Sequence, residues 1–379
     1  MGFLKKVLYI LLVIFISACS ASLIKVNVKL PQTLHPVFGK TSNRNFYYPL
    51  TLPDSLKFLW RANTYGGFNN SSVVIYDSLL FIGELAGRVY SFNANTGKQL
   101  GVIKTKGAIF STPLITNFRV YYPLVKKDNK LTEFIVYDFY SGKEVYIIEL
   151  EDRIINQIMY DDDAIYFVSE DGTIYKYSLE MKLLWKTETN FNVRCVPALF
   201  DDFIFIGNEV GEIIKIDKAF GRVINRKKIS SRFLSGITAE KDRLFIGDDD
   251  GNLFSINSDN LYVNFKVNIK ERILMNPAAD EQNIFIGNLK GDLFCINKTN
   301  GKINWTKTYK GSFNSTPIIT ADKLIIPDSF KAYWILDKND GRVIKKLELD
   351  NRAKLSPVLV DKKLFIGYDD GVLEAYEFY

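Results

Sequence analysis

The chain has 379 residues, with 49 lysines and arginines against 43 aspartates and glutamates, and 47% of its residues are hydrophobic. This composition supplies enough apolar material for a large core and excludes an intrinsically disordered chain. Three cysteines and one histidine exclude a disulfide-stapled fold, a histidine-rich metal site and a Ser-His-Asp triad downstream of that histidine.

Residues 1–18 are predicted to be a lipoprotein signal peptide. Lys5 and Lys6 form a positively charged start, and the apolar residues 7–16 are too few to span a bilayer. The sequence Ile-Ser-Ala-Cys that ends at Cys19 resembles the lipobox of bacterial lipoproteins, in which cleavage before the cysteine leaves a lipidated N-terminus. The resemblance predicts lipidation of Cys19 and, because Ser20 follows it, sorting to the outer membrane. The alternative is a buried helix that ends in a free thiol.

Residues 19–54 are predicted to be a lipidated spacer. This segment contains four prolines and no sustained hydrophobic period, which is typical of an extended linker. Loss of the two signal-peptide lysines lowers the formal net charge from +6 to about +4, so no nucleic-acid-binding stripe is indicated.

From residue 70 onward the sequence repeats with a period of about 40 residues. The tripeptide Phe-Ile-Gly begins at Phe81, Phe205, Phe245, Phe285 and Phe365. Turn glycines follow at positions 87, 172, 211, 251, 291 and 371, and positions near 130 and 331 complete the series without a glycine. Four short strands joined by tight turns in each repeat are typical of a β-propeller blade.

Eight innermost strands are predicted, near residues 72, 113, 156, 197, 236, 276, 317 and 357. The last copy stops at Tyr379 after three strands, and the segment around Trp60 resembles the fourth strands around Trp185 and Trp305. We therefore expect an all-β, eight-bladed propeller of four-stranded antiparallel blades over residues 55–379, with the last blade closed by the N-terminal strand. The three tryptophans are expected to pack between blades rather than to form a ligand floor.

Residues 87–98, Gly-Arg-Val-Tyr-Ser-Phe-Asn-Ala-Asn-Thr-Gly-Lys, resemble the repeat of the pyrroloquinoline-quinone propeller superfamily, and the resemblance extends over about residues 56–379. One branch comprises quinoprotein dehydrogenases, which hold the quinone with a Trp floor, a vicinal disulfide, calcium and an Asp base. This chain has no Cys-Cys pair, and Cys195 and Cys295 lie two blades apart. A quinone-dependent dehydrogenase, or another ligand-binding propeller, is kept as the alternative function.

The second branch is the BamB-type lipoprotein of the machinery that inserts β-barrels into the outer membrane. A lipidated cysteine, a proline-containing spacer, eight undecorated blades and a closing N-terminal strand all match this branch. The resemblance implies a non-enzymatic scaffold on the periplasmic face of the outer membrane, without a cofactor and monomeric within a multiprotein complex. It would bind the POTRA domains of the barrel-inserting protein, with Arg194 as the nearest match to the arginine of the family's contact loop.

Arginines recur five residues before the proline position of the repeats, at Arg153, Arg232, Arg272 and Arg352, and Arg194 lies close to that level in another blade. Because every blade repeats the same geometry, these side chains are predicted to form a ring at one mouth of the propeller, where they would bind acidic groups of a partner. The alternative, which we favour, is that each arginine pairs with a carboxylate of a neighbouring blade, with Asp152 and Glu271 as candidates.

Two runs of aspartates, at residues 161–163 and 248–250, match the ligand chemistry of calcium. Both runs coincide with predicted turns between strands, where aspartate before glycine is ordinary turn chemistry. We therefore expect them to stabilise turns.

Overall fold

The computed structural model of the protein describes residues 24–25, 33–127 and 131–379. The predicted signal peptide, Cys19 and the repeat position near residue 130 lie outside the described residues. The described part folds into eight β-sheets, and its one other regular element is the 3-10 helix Asp369–Gly371. Within these ranges no helix is long and apolar enough to cross a bilayer.

Three strands precede the first blade: β1 (Thr33–His35), β2 (Tyr47–Tyr48) and β3 (Leu56–Asn63). The blades, from the axis outward, contain these strands: blade 1, β4 (Val74–Tyr76), β5 (Leu79–Gly83), β6 (Arg88–Asn93) and β7 (Gln99–Lys104); blade 2, β8 (Leu114–Thr116), β9 (Arg119–Val125), β10 (Thr132–Asp138) and β11 (Lys143–Leu150); blade 3, β12 (Met159–Tyr160), β13 (Ala164–Val168), β14 (Thr173–Ser178) and β15 (Leu183–Glu188); blade 4, β16 (Ala198–Phe200), β17 (Phe203–Gly207), β18 (Glu212–Asp217) and β19 (Val223–Lys228).

The second half of the ring repeats this order: blade 5, β20 (Thr238–Ala239), β21 (Arg243–Gly247), β22 (Asn252–Asn257) and β23 (Val263–Asn268); blade 6, β24 (Ala278–Ala279), β25 (Asn283–Gly287), β26 (Asp292–Asn297) and β27 (Ile303–Thr308); blade 7, β28 (Ile318–Thr320), β29 (Lys323–Asp328), β30 (Ala332–Asp337) and β31 (Val343–Glu348); blade 8, β32 (Val358–Val360), β33 (Lys363–Tyr368), β34 (Val372–Phe378) and then β3.

The predicted all-β, eight-bladed propeller is therefore confirmed, including the closure of its last blade. Strand β3 pairs antiparallel with β34, in a register that runs from Leu56 opposite Phe378 to Asn63 opposite Val372. The two ends of the repeated region thus share one sheet, and among the described residues this seam leaves no long unpaired strand edge inside the ring.

The Phe-Ile-Gly tripeptide is explained by the position of the second strand in each blade. Strands such as β5 are buried along their whole length because neighbouring blades cover both of their faces. The glycine ends the strand where the loop that leads into the next blade packs against it. A Cβ atom on Gly247 would lie 2.3 Å from Cγ2 of Ile273, so a larger residue there would push this loop away.

The predicted role of the tryptophans as anchors between blades is confirmed. Each of the three lies on an outermost strand, and its indole Nε1 donates a hydrogen bond to a carbonyl oxygen in the turn between the third and fourth strands of the next blade. The pairs are Trp60–Ala94 at 3.0 Å, Trp185–Lys218 at 3.1 Å and Trp305–Lys338 at 3.1 Å.

Residues 33–52, which the sequence presents as part of a spacer, lie across one end of the central channel, and we call them the plug. Strand β1 pairs with β4 of blade 1, and β2 runs parallel to β28 of blade 7. Between these strands, carbonyl oxygens of the plug accept hydrogen bonds from the innermost strands of blades 2, 4, 5 and 6, and Ser42 bonds to the backbone of Tyr160 in blade 3. The plug thus ties seven blades to one segment.

Arg44 lies at the centre of the plug and is fully buried. Its guanidinium donates to the carbonyl oxygens of Pro197 at 3.3 Å, Ile158 at 2.7 Å and Phe38. These acceptors belong to the plug and to two different blades. A buried guanidinium needs many acceptors, and here carbonyl oxygens that converge on the axis provide them.

Candidate functional site

One face of the ring carries the loops that link consecutive blades and the turns between second and third strands. All five arginines singled out in the sequence lie here, so we call it the arginine face. Their side chains are between 37% and 60% exposed. The opposite face, which carries the other two sets of turns and the plug, is called the plug face.

Every one of the five guanidiniums is paired with a carboxylate. The pairs are Arg153–Glu170 at 3.0 Å, Arg194–Glu170 at 2.9 Å, Arg194–Glu209 at 3.2 Å, Arg232–Glu209 at 2.7 Å, Arg272–Asp249 at 2.6 Å and Arg352–Asp369 at 2.8 Å. The favoured ion-pair alternative is thus correct, but its candidate partners are wrong. The Asp152 carboxylate accepts a hydrogen bond from the Tyr175 hydroxyl instead, and within the described residues Glu271 forms no ion pair.

The true partners share a position that is visible in the sequence. All four carboxylates stand two residues before a turn glycine, in the turn between the second and third strands. They are Glu170, Glu209, Asp249 and Asp369, which precede Gly172, Gly211, Gly251 and Gly371. This turn lies beside the loop that carries the arginine, whereas residues next to an arginine in sequence point elsewhere.

Arg194 does not belong to the same ring as the other four arginines. The carbonyl oxygens of Arg153, Arg232, Arg272 and Arg352 each accept a hydrogen bond from a turn amide, and in blade 4 the corresponding acceptor is Asn192. Arg194 therefore lies two positions further along its loop, toward the innermost strand. Both Arg194 and Arg153 line the central cavity. The expectation of a single ring is corrected to four equivalent arginines and one inner arginine.

Five of these side chains form one continuous chain of ion pairs across blades 3, 4 and 5. It runs from Arg153 through Glu170, Arg194 and Glu209 to Arg232, and we call it the ion-pair chain. The three arginines are between 37% and 52% exposed, whereas the Glu170 and Glu209 side chains are only 14% and 19% exposed. The carboxylates therefore hold the guanidiniums in place from below, and the outer sides of the guanidiniums remain accessible to another protein.

A central cavity of about 420 Å³ opens on the arginine face, with Phe38 of the plug as part of its lining. Apolar side chains such as Leu234 and Leu274 alternate around it with amides such as Asn276. The Nδ2 atom of Asn276 is buried without a hydrogen-bond partner among the described residues.

The cavity does not fit a quinone with calcium. Calcium is bound by six to eight oxygens, among which carboxylates balance its charge, and dehydrogenation requires a base. Amides such as Asn156 and Gln157 offer oxygens to the cavity, but they carry no charge and are not bases. The one carboxylate among the described lining residues is Glu170, which Arg153 and Arg194 already hold. Cys195 and Cys295 are buried free thiols, so they do not form a disulfide with each other.

The aspartate runs stabilise turns, as expected. The Asp161 carboxylate accepts hydrogen bonds from the amides of Asp163 at 3.2 Å and Ala164 at 2.9 Å. Asp248 does the same for the amides of Asp250 at 3.0 Å and Asn252 at 2.7 Å. In the part of the chain that the structure describes, no three His, Cys, Asp or Glu side chains are grouped to hold a metal ion.

The fold resembles several solved structures at low sequence identity. BamB from Moraxella catarrhalis is 14% identical with a TM-score of 0.72, over 86% of this chain and 100% of that one. The designed protein Ika8 is 12% identical with a TM-score of 0.74, over 85% and 100%. Quinohemoprotein alcohol dehydrogenase from Comamonas testosteroni is 10% identical with a TM-score of 0.76, over 96% and 82%. These likenesses show the propeller fold alone.

Comparison of sequences identifies the family to which the chain belongs. No curated protein sequence matches the chain. The family model described as outer membrane protein assembly factor BamB matches residues 182–268 and 263–377, which together are more than half of the chain. The matched region begins at the outermost strand of blade 3 and extends through blade 8. The chain therefore belongs to the family of the outer membrane protein assembly factor BamB.

Proposed function

We propose that this protein is a non-enzymatic scaffold that assists the assembly of β-barrel proteins in the outer membrane. In this role Cys19 carries the lipid anchor, the propeller stands on the periplasmic side, and the arginine face binds the POTRA domains of the barrel-inserting protein. Family membership supports the role. The single structural observation that carries the docking face is the ion-pair chain with its three half-exposed arginines.

The ion-pair chain combines the properties of a protein-docking surface. It presents three guanidiniums, which bind carboxylates in a bidentate manner, on a rigid framework of three adjacent blades. Val210, which is 36% exposed, follows Glu209 directly and adds an apolar contact beside the charges. A lipid anchor would confine the protein to the membrane surface, so that even a modest interface is occupied at high effective concentration.

The test is a pull-down of the tagged lipoprotein from detergent-solubilised envelopes, with the barrel-inserting protein detected in the eluate. Arg194→Glu combined with Arg232→Glu is expected to reduce recovery at least about tenfold, because two reversed charges at the centre of the interface would face the partner's carboxylates. Arg342→Glu is the matched control, since Arg342 is 63% exposed and paired with Asp337 on the plug face.

Two results contradict the proposal. Absence of the barrel-inserting protein from the eluate of the unmodified lipoprotein rejects the scaffold function. Equal losses for the arginine-face pair and for Arg342→Glu reject the docking face while leaving the scaffold function standing.

A quinone-dependent dehydrogenase is the second candidate function, because the fold resembles such enzymes and a central cavity opens at the axis. Purified protein titrated with pyrroloquinoline quinone and calcium would then show a saturable absorbance change and dye-linked alcohol oxidation. We expect neither signal, because the one carboxylate among the described lining residues of the cavity, Glu170, is already paired with Arg153 and Arg194.

A further inference from the structure

One part of the plug face differs from the rest in its charge. The turn between the first and second strands contains an acidic residue in seven of the eight blades: Asp77, Asp161, Asp201, Asp242, Asp280, Asp322 and Asp361. In blade 2 the same turn is Asn117-Phe118, and an aromatic side chain replaces the acid.

Phe118 belongs to an aromatic group that reaches the surface. Its ring packs edge-on against Tyr140 at a centroid distance of 5.8 Å and against Tyr76 at 5.9 Å. The amide of Phe139 donates a 3.0 Å hydrogen bond to the carbonyl oxygen of Phe118, which joins the two turns of this blade. Tyr140 is 55% exposed, so the group presents an aromatic tip to solvent.

The N-terminal chain arrives at the same place. Ile24 is fully buried in the apolar cluster that contains Phe139, and its carbonyl oxygen accepts a 2.9 Å hydrogen bond from the Tyr137 hydroxyl. Lys25 packs beside Gly142 in the turn that carries Tyr140. Lys25 and Lys143 are both exposed, so two cations flank the aromatic tip. We call Lys25, Phe118, Tyr140 and Lys143 the blade 2 corner.

The chain between Cys19 and Ile24 limits the distance between the blade 2 corner and the lipid anchor. Four residues lie between Cys19 and Ile24. Because an extended chain spans at most about 3.3–3.6 Å per residue, the backbone of Cys19 lies within about 18 Å of Ile24. Aromatic side chains favour the headgroup region of a bilayer, and lysines favour anionic lipids. In the corresponding turns of other blades the acids Asp161, Asp242, Asp280 and Asp322 are instead paired with lysines or arginines.

We infer that the blade 2 corner rests on the headgroup region of the membrane that holds the anchor. The arginine face, on the other side of the ring, is then directed toward the periplasm. This inference deepens the proposed function and rests on the anchor at Cys19. It identifies a lipid surface as the partner of the corner, separate from the protein partner of the arginine face.

The experiment places a tryptophan at Tyr140 or at Thr299 of the full lipoprotein and measures quenching by brominated lipids in vesicles that contain phosphatidylglycerol. Thr299 is the position-matched control, because it lies in the same turn of blade 6, diametrically opposite blade 2. Both turns have the same hydrogen bond four residues apart, from Gly142 to Asp138 and from Gly301 to Asn297. The four native tryptophans are common to both variants, so their signal is subtracted with the parent protein.

Tyr140→Trp is expected to be quenched at least about twofold more than Thr299→Trp, because only the former reaches the headgroups. Adding Phe118→Asp to Tyr140→Trp restores the acid of the other blades and is expected to reduce that quenching. Equal quenching at the two positions, or stronger quenching at Thr299→Trp, overturns the inference.

Failure of the anchor is detected separately by flotation. If protein made in cells does not float with vesicles, Cys19 is not lipidated and that part of the proposed function fails. The mature chain is then coupled to a maleimide lipid through the Cys19 thiol, and the two positions are compared again with the same criterion. Cys195 and Cys295 do not compete, because they are buried and burial raises their thiol pKa values to about 12 and about 11.

Discussion

At the residue scale, a few side chains determine how neighbouring blades are held together. Trp60 is only 6% exposed, and its ring covers Gly97 of blade 1, where a Cβ atom would approach the indole to 2.6 Å. Gly97 also has a positive φ of 69°, so glycine is required there by its backbone conformation as well as by the tryptophan. The pair belongs to the seam, since Trp60 lies on β3 and Gly97 follows β6.

Replacement of Trp60 separates the contribution of packing from that of the hydrogen bond. Trp60→Ala is expected to lower the free energy of unfolding by about 3–5 kcal/mol, because it leaves a large cavity between blades 8 and 1. Trp60→Phe keeps much of the ring and is expected to lose about 1 kcal/mol with the bond to Ala94. Urea unfolding followed by circular dichroism measures both values. Equal losses for Trp60→Ala and Trp60→Phe would show that packing of the indole ring is not the main contribution of Trp60 to stability.

The single histidine predicts a specific dependence of stability on pH. His35 is buried in the plug, and burial, followed by the charge of Lys40, lowers its pKa from 6.5 to about 3. The unfolded chain therefore binds a proton below pH 6.5 that the folded chain does not bind until about pH 3. The stabilisation that depends on neutral His35 is fully present above pH 6.5 and is lost as the pH falls from 6.5 to about 3.

Between pH 7 and pH 5 this linkage is expected to remove about 2 kcal/mol from the free energy of unfolding. His35→Gln lacks the titrating group and should lose about 2 kcal/mol less over the same interval, whatever its stability at pH 7. Urea titrations of both proteins at the two pH values give the difference. Parallel pH profiles would mean that burial does not lower the pKa of His35 in the folded protein.

At the scale of elements, the plug behaves as a hub for the innermost strands. These strands are only two or three residues long, so each forms few hydrogen bonds with its own blade. The plug supplies acceptors for several of them on the axial side, where an open channel would leave their amides to water. Phe38 and Phe46 pack edge to face at 5.4 Å and give the plug its own apolar centre.

Phe46→Ala is expected to loosen the plug and to lower the free energy of unfolding by about 3–5 kcal/mol, since the ring is 2% exposed. Hydrogen exchange should quicken at the amides of Ala279 and Ile319, which bond to plug carbonyls. Amides of the arginine face, such as that of Asp369, serve as the internal control. Unchanged exchange at Ala279 and Ile319 would contradict the role of the plug as a hub.

At the scale of the whole molecule, closure of the ring depends on one pair of strands. Blade 8 is completed by β3 and β34, which come from opposite ends of the propeller sequence, so this sheet joins contacts that are far apart in the chain. Arg61 on β3 reinforces the seam by pairing with the buried carboxylate of Glu374 at 2.6 Å. Folding of the ring therefore has to bring both ends together.

A truncation after Gly371 removes β34 and leaves β3 without its partner. We expect the full chain to unfold in one cooperative transition and the truncated protein to lose it, because β3 and β33 both lose the strand with which they pair. Removal of Tyr379 alone, whose side chain is 67% exposed, is the control and should leave the transition in place. Calorimetry distinguishes the two outcomes, and a cooperative transition in the truncated protein would show that the seam is dispensable.

The sequence by itself determined the number of blades, their strand order, the closing strand and the anchoring tryptophans. These features repeat, and a repeated pattern of turns and buried strands has one favourable packing, in which each blade covers the next. It also placed the arginines on one face, because equivalent positions in equivalent blades share a face.

Only the tertiary structure decided which carboxylates pair with those arginines, that Arg194 lies inside the ring of the other four, and that the spacer forms the plug. Those features arise from contacts between segments that no repeat relates. A side chain's partner depends on where its loop points, and the 33–52 segment pairs with strands that are far away in the chain, as in the pairing of Tyr47 with Ile319, 272 residues apart. Such long-range contacts leave no periodic signal in the sequence.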